Sequence, residues 1–262
     1  MSDPALVLAP TAGLVPGELQ ELLDGHRLVR HLPNHLDVGY CDQVVAAVRT
    51  LELSPYPATV GVPGAAPVLK VGPTVFDHVG TDFASYFDEV AACSRRLRAC
   101  FARAGIIDPL DFVLDFLRRS WDGPVVIAEE GGRPYFAGVL RSIPGGTLPH
   151  TDDAARETPD LSIGRTKSQG SLLLYLAMPT AGGSTTVYDK RPTDDDPTYA
   201  WGYAQAALAG VGFAGVTATA GDVVLFPSTR IHEVAPVTGV GDRLTFSVFY
   251  GPDEHGRLVV WS

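Results

Sequence analysis

Beyond Trp121 the chain is cut by glycine pairs into short runs of β-type residues, and few folds accept that rhythm. The runs are PVVIAE, YFAGVLRSI, GSLLLYLAM, GSTTVYD, DVVLFPS, HEVAPV and RLTFSVFYG. The turns between them carry Gly131-Gly132, Gly145-Gly146, Gly182-Gly183, Gly221-Asp222 and Gly239–Asp242. Strands this short and this evenly punctuated belong to a sandwich or barrel of antiparallel sheets. The polar, turn-rich stretch 189–215 breaks the rhythm and reads as an insertion near the mouth of such a barrel.

The first half has another period. Residues 16–52 read as helical, with Pro16 near a helix start. Residues 53–75, rich in Pro, Gly and Val, read as loop and short strand. Phe83, Phe87, Val90, Cys93, Leu97, Cys100, Phe101 and Ala104 follow the helical repeat, and Gly105 suits the residue just past the helix end. A second helix follows over DPLDFVLDFLRR, with Asp108 as N-cap and Pro109 in the first turn. The expectation is an α+β chain of one domain, 1–262. Its mainly helical part, 1–120, supports a jelly-roll core over 121–262.

Composition narrows the function. The 262 residues carry a formal net charge of −10 and contain no Lys/Arg run. That argues against phosphate-backbone binding as the main task, since a nucleic-acid surface is basic. A small anionic substrate is still compatible, because a few local arginines suffice. Cys41, Cys93 and Cys100 form neither a CxxC nor a Cys/His cluster and read as buried thiols. The opening MSDPALVLAP lacks the pattern of a signal peptide, and no run of 18 apolar residues exists. A soluble, cytoplasmic protein without a membrane partner is the expectation.

The chemistry is concentrated in LPHTDD, residues 148–153. Residues two apart in extended backbone point the same way, so His150 and Asp152 can approach one metal ion. A third ligand must come from elsewhere. His26, His31 and His35 fall in the N-terminal region, His78 precedes the long helix, and His255 lies in the polar tail. His232 alone falls within the β region. Asp153 competes with Asp152 for the carboxylate role. Eleven residues beyond His232, Arg243 shares an alternating face with Thr245 and Ser247. An arginine on an inward face is costly unless it meets an anion, and its planar fork matches a carboxylate.

In order, His150-x-Asp152, then GDVVLFPSTRIHEV with His232, then Arg243 resemble the Fe(II)/2-oxoglutarate-dependent oxygenases. RSIPGGTLPHTD and GGSTTVYD add to the likeness, which covers about residues 125–250. The resemblance implies a double-stranded β-helix, or cupin-like jelly roll. It implies Fe(II) held by His150, Asp152 and His232, with 2-oxoglutarate and O2 as cosubstrates. Arg243 would bind the distal carboxylate of 2-oxoglutarate, with Thr245 and Tyr175 assisting. The implied reaction is hydroxylation of an unactivated carbon of a small molecule, such as an amino-acid derivative or natural-product intermediate, with release of succinate and CO2. Arg141, Arg156, Arg165 and Trp201 are the candidates for substrate contact, with loop 153–170 as a lid.

Stand-alone halogenases of amino-acid and alkaloid substrates look similar. They carry a small residue where this chain has Asp152, which leaves room for chloride on the iron. Asp152 therefore favours hydroxylation. Two other classes remain open at this point: a cupin-like metal isomerase or hydrolase without 2-oxoglutarate, and a non-catalytic jelly-roll binding module. Oligomeric state is not legible.

Overall fold

The structure, a computed structural model, describes residues 14–62, 66–78 and 83–262. The opening decapeptide MSDPALVLAP, expected to be no signal peptide, lies outside the described residues.

The helices are α1 (Glu18–Leu23), α2 (Val38–Val48), α3 (Phe83–Ala104), α4 (Pro109–Ser120) and the single turn α5 (Ala154–Glu157). Their ends follow local chemistry. The Asp37 side chain accepts the Tyr40 N–H at the start of α2, and Asp108 accepts the Leu110 N–H ahead of Pro109 in α4. Each such cap stabilises its helix by about 1 kcal/mol. Gly105 takes φ 68° just beyond α3, the left-handed conformation of a helix stop.

Among the described residues the strands in chain order are β1 (Arg30–Leu32), β2 (Ser54–Pro55), β3 (Leu69–Val71), β4 (Val125–Ile127), β5 (Glu129–Glu130), β6 (Arg133–Pro134), β7 (Val139–Ser142) and β8 (Gly170–Ala177). The rest are β9 (Thr185–Tyr188), β10 (Thr198–Tyr199), β11 (Gly202–Tyr203), β12 (Phe213–Val216), β13 (Val223–Phe226), β14 (His232–Val234), β15 (Leu244–Pro252) and β16 (Leu258–Trp261). The major sheet runs β1-β13-β8-β15-β7-β3-β2, with β16 bridging β15 to β4. The minor sheet runs β12-β9-β14. Residues 144–150 lie along the free side of β14. Thr147 donates to Val234, and His150 and His232 exchange both backbone hydrogen bonds at 2.8–2.9 Å.

Strand β8 is buried on both faces, and its alternation sorts two cores. Leu172, Leu174 and Leu176 pack toward the helices, in one cluster with Val44, Val90, Phe101, Phe116 and Phe246. Leu173 and Tyr175 point the other way and meet Val187 and Val216 of the minor sheet, with Val224 and Phe226 of β13. Near-continuous apolar strands are what a sheet covered on both sides requires. The site opens in the gap between the sheets. This is the double-stranded β-helix with supporting helices. Among the described residues, no helix is long and apolar enough to cross a membrane.

Three expectations need correction. The stretch 16–52 is not helical throughout, because Arg30–Leu32 pairs antiparallel with β13. Burial on a distant strand overrides local propensity there, and His31 Nε2 meets Asp222 Oδ2 at 2.8 Å to pin it. The polar tail around His255 is a turn into β16, whose four residues are all buried. The insertion is shorter than 189–215, because Phe213–Val216 already belongs to the minor sheet, paired with β9. All three cysteines are buried and free.

Candidate metal centre and its cavity

His150 and His232 face each other across the backbone bridge that closes the minor sheet, with ring centroids 4.3 Å apart. Each imidazole is oriented from behind. His150 Nδ1 lies 2.8 Å from Leu148 O, and His232 Nδ1 lies 2.9 Å from Arg230 O. A carbonyl oxygen only accepts, so both Nδ1 atoms carry a proton and both Nε2 atoms turn into the site, where a cation would displace any proton they hold. Asp152 is placed by its own backbone, whose N–H donates to Ser228 O and whose carbonyl accepts from Gln169 Nε2 and Ser228 Oγ. Its Oδ2 stands 3.4 Å from His232 Nε2.

One donor atom from each of His150, Asp152 and His232 lies within 4.8 Å of the other two. With metal bonds of roughly 2.0–2.2 Å, adjacent donors on one ion stand roughly 3 Å apart, so a small inward adjustment suffices. Protonation suits a cation as well. Burial first, then the His232 charge, lower the His150 imidazole to about 4. Burial opposes the Asp152 charge, but the His232 hydrogen bond and the neighbouring positive groups outweigh it and hold the carboxyl at about 2. Asp153 faces away: it caps α5 by accepting the Ala155 N–H.

The three residues open into a cavity of about 680 Å³, also lined by Arg141, Arg156, Trp201, Arg243 and Thr245. Arg243 is 1% exposed. Its Nε donates to Gly183 O at 3.1 Å, and its Nη2 reaches Thr185 Oγ1 at 3.3 Å and Tyr175 Oη at 3.5 Å. The Tyr175 and Thr185 hydroxyls are themselves 2.9 Å apart. Gly183 explains one glycine pair: it sits at φ +73°, and a Cβ there would come to 3.2 Å from Arg243 Cδ. Arg243 Nη1 and the Thr245 hydroxyl are buried without a hydrogen-bond partner among the described residues. Two orphaned donors side by side, one charged, fit the distal carboxylate of 2-oxoglutarate, and burial left uncompensated would cost several kcal/mol.

The substrate candidates divide. Trp201, on the turn between β10 and β11, packs edge-on against His150 with centroids 5.2 Å apart. Arg156 reaches across the mouth to Asp194 Oδ1 at 3.0 Å and Tyr203 Oη at 3.2 Å. Arg141 lines the cavity from β7, paired on both sides by β3 and β15 rather than at a sheet edge. Arg165 is a correction: it does not line the cavity. Its loop folds down over Ile163, which is fully buried, and Arg165 Nη1 turns back to Asp160 O. The expected lid is thus largely anchored, and only its first turn stands at the mouth.

Sequence reasoning missed Tyr56, Glu157 and Thr185, all on the cavity wall. Thr185 had a signal, since alternation in GSTTVYD turns it the same way as Val187. Tyr56 had none, because a Pro-rich stretch gives no hint of which sheet it will join. Desolvation first, and the Asp152 charge second, push the Glu157 carboxyl up to about 7.

This fold and site define an enzyme class, the Fe(II)/2-oxoglutarate-dependent oxygenases. Within it, residues 57–262 match the model of the carrier-protein-independent halogenase family WelO5, and the chain belongs to that family. It is 33% identical over 200 residues to the L-gamma-glutamyl-L-propargylglycine hydroxylase of Streptantibioticus cattleyicolor, covering 75% of each chain. It is 29% identical to the leucinostatins biosynthesis cluster protein S of Purpureocillium lilacinum, over 75% of this chain and 86% of that one. Its fold is shared with an N-substituted L-amino acid dioxygenase of Burkholderia ambifaria solved with alpha-KG, at TM-score 0.56 and 12% identity, covering 93% of this chain and 90% of that one.

Proposed function

We propose that this enzyme hydroxylates an unactivated carbon of a small, anionic amino-acid derivative or natural-product intermediate. The observation that carries the reading is the Asp152 carboxylate itself, 3.4 Å from His232 Nε2 in a chain of a halogenase family. A chloride-binding iron needs that position open, and here a carboxylate fills it. The curated relative named a hydroxylase supports the same choice, and its name supports an amino-acid-derived substrate.

In this reading His150, Asp152 and His232 hold Fe(II). Arg243 anchors 2-oxoglutarate, with Thr245 donating beside it and Tyr175 fixing the guanidinium. The bound iron, with 2-oxoglutarate and O2, supplies the oxidising chemistry that turns C–H into C–OH and leaves succinate and CO2. The chain's own residues do the rest. Leu148 O and Arg230 O fix both imidazole tautomers, so that the two Nε2 atoms would be the ones to hold the ion. Trp201 walls the metal side, and Arg141, Arg156 and Trp201 meet the substrate, so that one C–H bond is oriented and bulk water excluded. Arg165 has no part.

The helices and jelly roll act as one domain, supported by the apolar core they share. Three free, buried thiols support a reducing, cytoplasmic setting. The test is turnover of candidate amino-acid derivatives under ¹⁸O2 with chloride present. The expected product gains one labelled oxygen per succinate. A chlorinated product from the unaltered protein overturns the hydroxylase assignment.

A further inference from the structure

Arg141 also lines the cavity, and among the described residues no carboxylate stands within ion-pairing distance of it. Two of its five guanidinium protons are taken: Nε donates to Tyr56 Oη and Nη1 to Ser247 Oγ, both at 2.9 Å. The ring of Tyr56 lies between two cations, with Lys70 Nζ 5.1 Å and Arg141 Cζ 5.6 Å from its centroid, and Phe249 flanks Arg141 at 5.5 Å. Asp77 is consumed by Lys70 at 2.9 Å. Among the described residues, no carboxylate pairs with Arg141. The guanidinium is thus clamped, with one Nη1 proton and both Nη2 protons left over. That end edge is the one a carboxylate grips bidentately.

Charge counting points the same way. Arg141 and Arg243 against Asp152 leave one positive charge. Arg156 is matched by Asp194, and Glu157, pushed up to about 7, is only partly ionised near neutrality. A divalent ion adds two charges and 2-oxoglutarate removes two. One positive charge is left, and Arg141 carries it. The wall around it is apolar, made by Val68, Ile143 and Val234 with Tyr56 packed against them.

We infer that Arg141, held by Tyr56 and Ser247, is the anchor for a carboxylate on the organic substrate. The inference rests on the iron and 2-oxoglutarate reading above and deepens it. The substrate carries a free carboxylate, and Tyr56, Thr59 and Val68 build its end of the cavity. Anchoring at Arg141 then selects which carbon is presented to the metal ligands, and Arg141 acts as a specificity residue.

The test uses full-length protein loaded anaerobically with Fe(II), as wild type, Arg141→Met, Arg141→Lys and Tyr56→Phe. Calorimetry first gives 2-oxoglutarate affinity. The loaded complexes are then titrated with α-amino acids, N-acyl amino acids and γ-glutamyl dipeptides, each beside its primary carboxamide. All four proteins should bind 2-oxoglutarate within about twofold of one another. Wild type should bind an acid more tightly than its amide by roughly ten- to a hundredfold, the worth of a charge-assisted pair. Arg141→Met should bring that ratio near one, with Arg141→Lys and Tyr56→Phe in between. The inference falls if wild type does not distinguish acid from amide, if no acid is bound, or if the ratio survives in Arg141→Met. It also falls if Arg141→Met loses 2-oxoglutarate instead, since Arg141 would then serve the cosubstrate. Wild type that binds no 2-oxoglutarate would bring down the oxygenase reading itself, a result visible in the first titration.

Discussion

Arg243, just ahead of β15, and Arg141, on the neighbouring β7, face one cavity, yet their surroundings differ. Arg243 is sealed, 1% exposed, and its partners Gly183, Tyr175 and Thr185 all come from the jelly roll. Arg141 is half-buried, and its Nε is held by a tyrosine that arrives from 85 residues earlier. The sealed end has no room for variety and suits a cosubstrate that never changes. The other end is finished from the first half of the chain, at the β3-β2 edge of the major sheet, so it can be altered without disturbing the metal residues or Arg243. A common reaction with divergent substrates needs such a division.

The largest effect should come from the group that both ends share. Asp152→Ala or His232→Ala removes a proposed ligand from a three-residue set, so Fe(II) binding and oxygen-dependent turnover should both be lost. The fold should persist, because neither side chain belongs to a hydrophobic cluster. Anaerobic Fe(II) titration with a thermal melt checks both points. Ordinary iron affinity in either variant breaks the assignment. Next in size is Arg243→Leu, which should weaken 2-oxoglutarate by roughly ten- to a hundredfold while sparing the metal. An equal loss in Arg141→Met would erase the contrast between the two arginines.

Acid should act on the metal end first. The folded metal-free protein holds His150 at about 4 and Asp152 at about 2, both below their ordinary values. In each case the unfolded chain binds the proton more readily, so stability rises with pH across the gap. The His150 contribution is intact above about pH 6.5 and is lost as pH falls toward 4. The Asp152 contribution is lost only below about pH 4. Glu157, held at about 7, acts in the opposite sense over the same range, so the measure is the difference between proteins: in denaturant titrations without metal, wild type should lose more stability between pH 6.5 and 4 than His150→Gln does. The same pH dependence in wild type and His150→Gln would mean that His150 is not desolvated as described.

How much of this could be read from the sequence follows the same divide. His150, Asp152, His232, Arg243 and Thr245 lie in strands or at strand ends where period two dictates direction, so their convergence was legible. Strand β1 was not, because its partner is β13, nearly two hundred residues on, and nothing local marks Arg30–Leu32 as extended. Tyr56 was illegible for the same reason. Loop 153–170 misled by its composition: polar residues suggested a free lid, while Ala154, Thr158, Ile163, Thr166 and Gln169 are buried beneath it.

The smallest expected effect concerns the mouth, where the two ends of the cavity meet solvent. Arg156, on the first turn after the metal ligands, bonds to Asp194 and Tyr203 of the insertion. The Asp194 side chain is 97% exposed, so the pair contributes little to stability. Its consequence is coupling: while the pair holds, α5 and the hairpin of β10 and β11 move together, and the hairpin carries Trp201 against His150. Segments that open and close are drawn from the weakly held parts of a fold. Asp194→Ala should leave the melt and 2-oxoglutarate affinity unchanged. It should speed amide exchange in residues 198–203 by a few-fold, with the loop beyond Thr158 unaffected because that part is anchored in the core. Exchange that rises evenly across 153–170 would show that the loop is one mobile lid after all. Exchange unchanged in the hairpin would show that Trp201 is held by its packing on His150 alone.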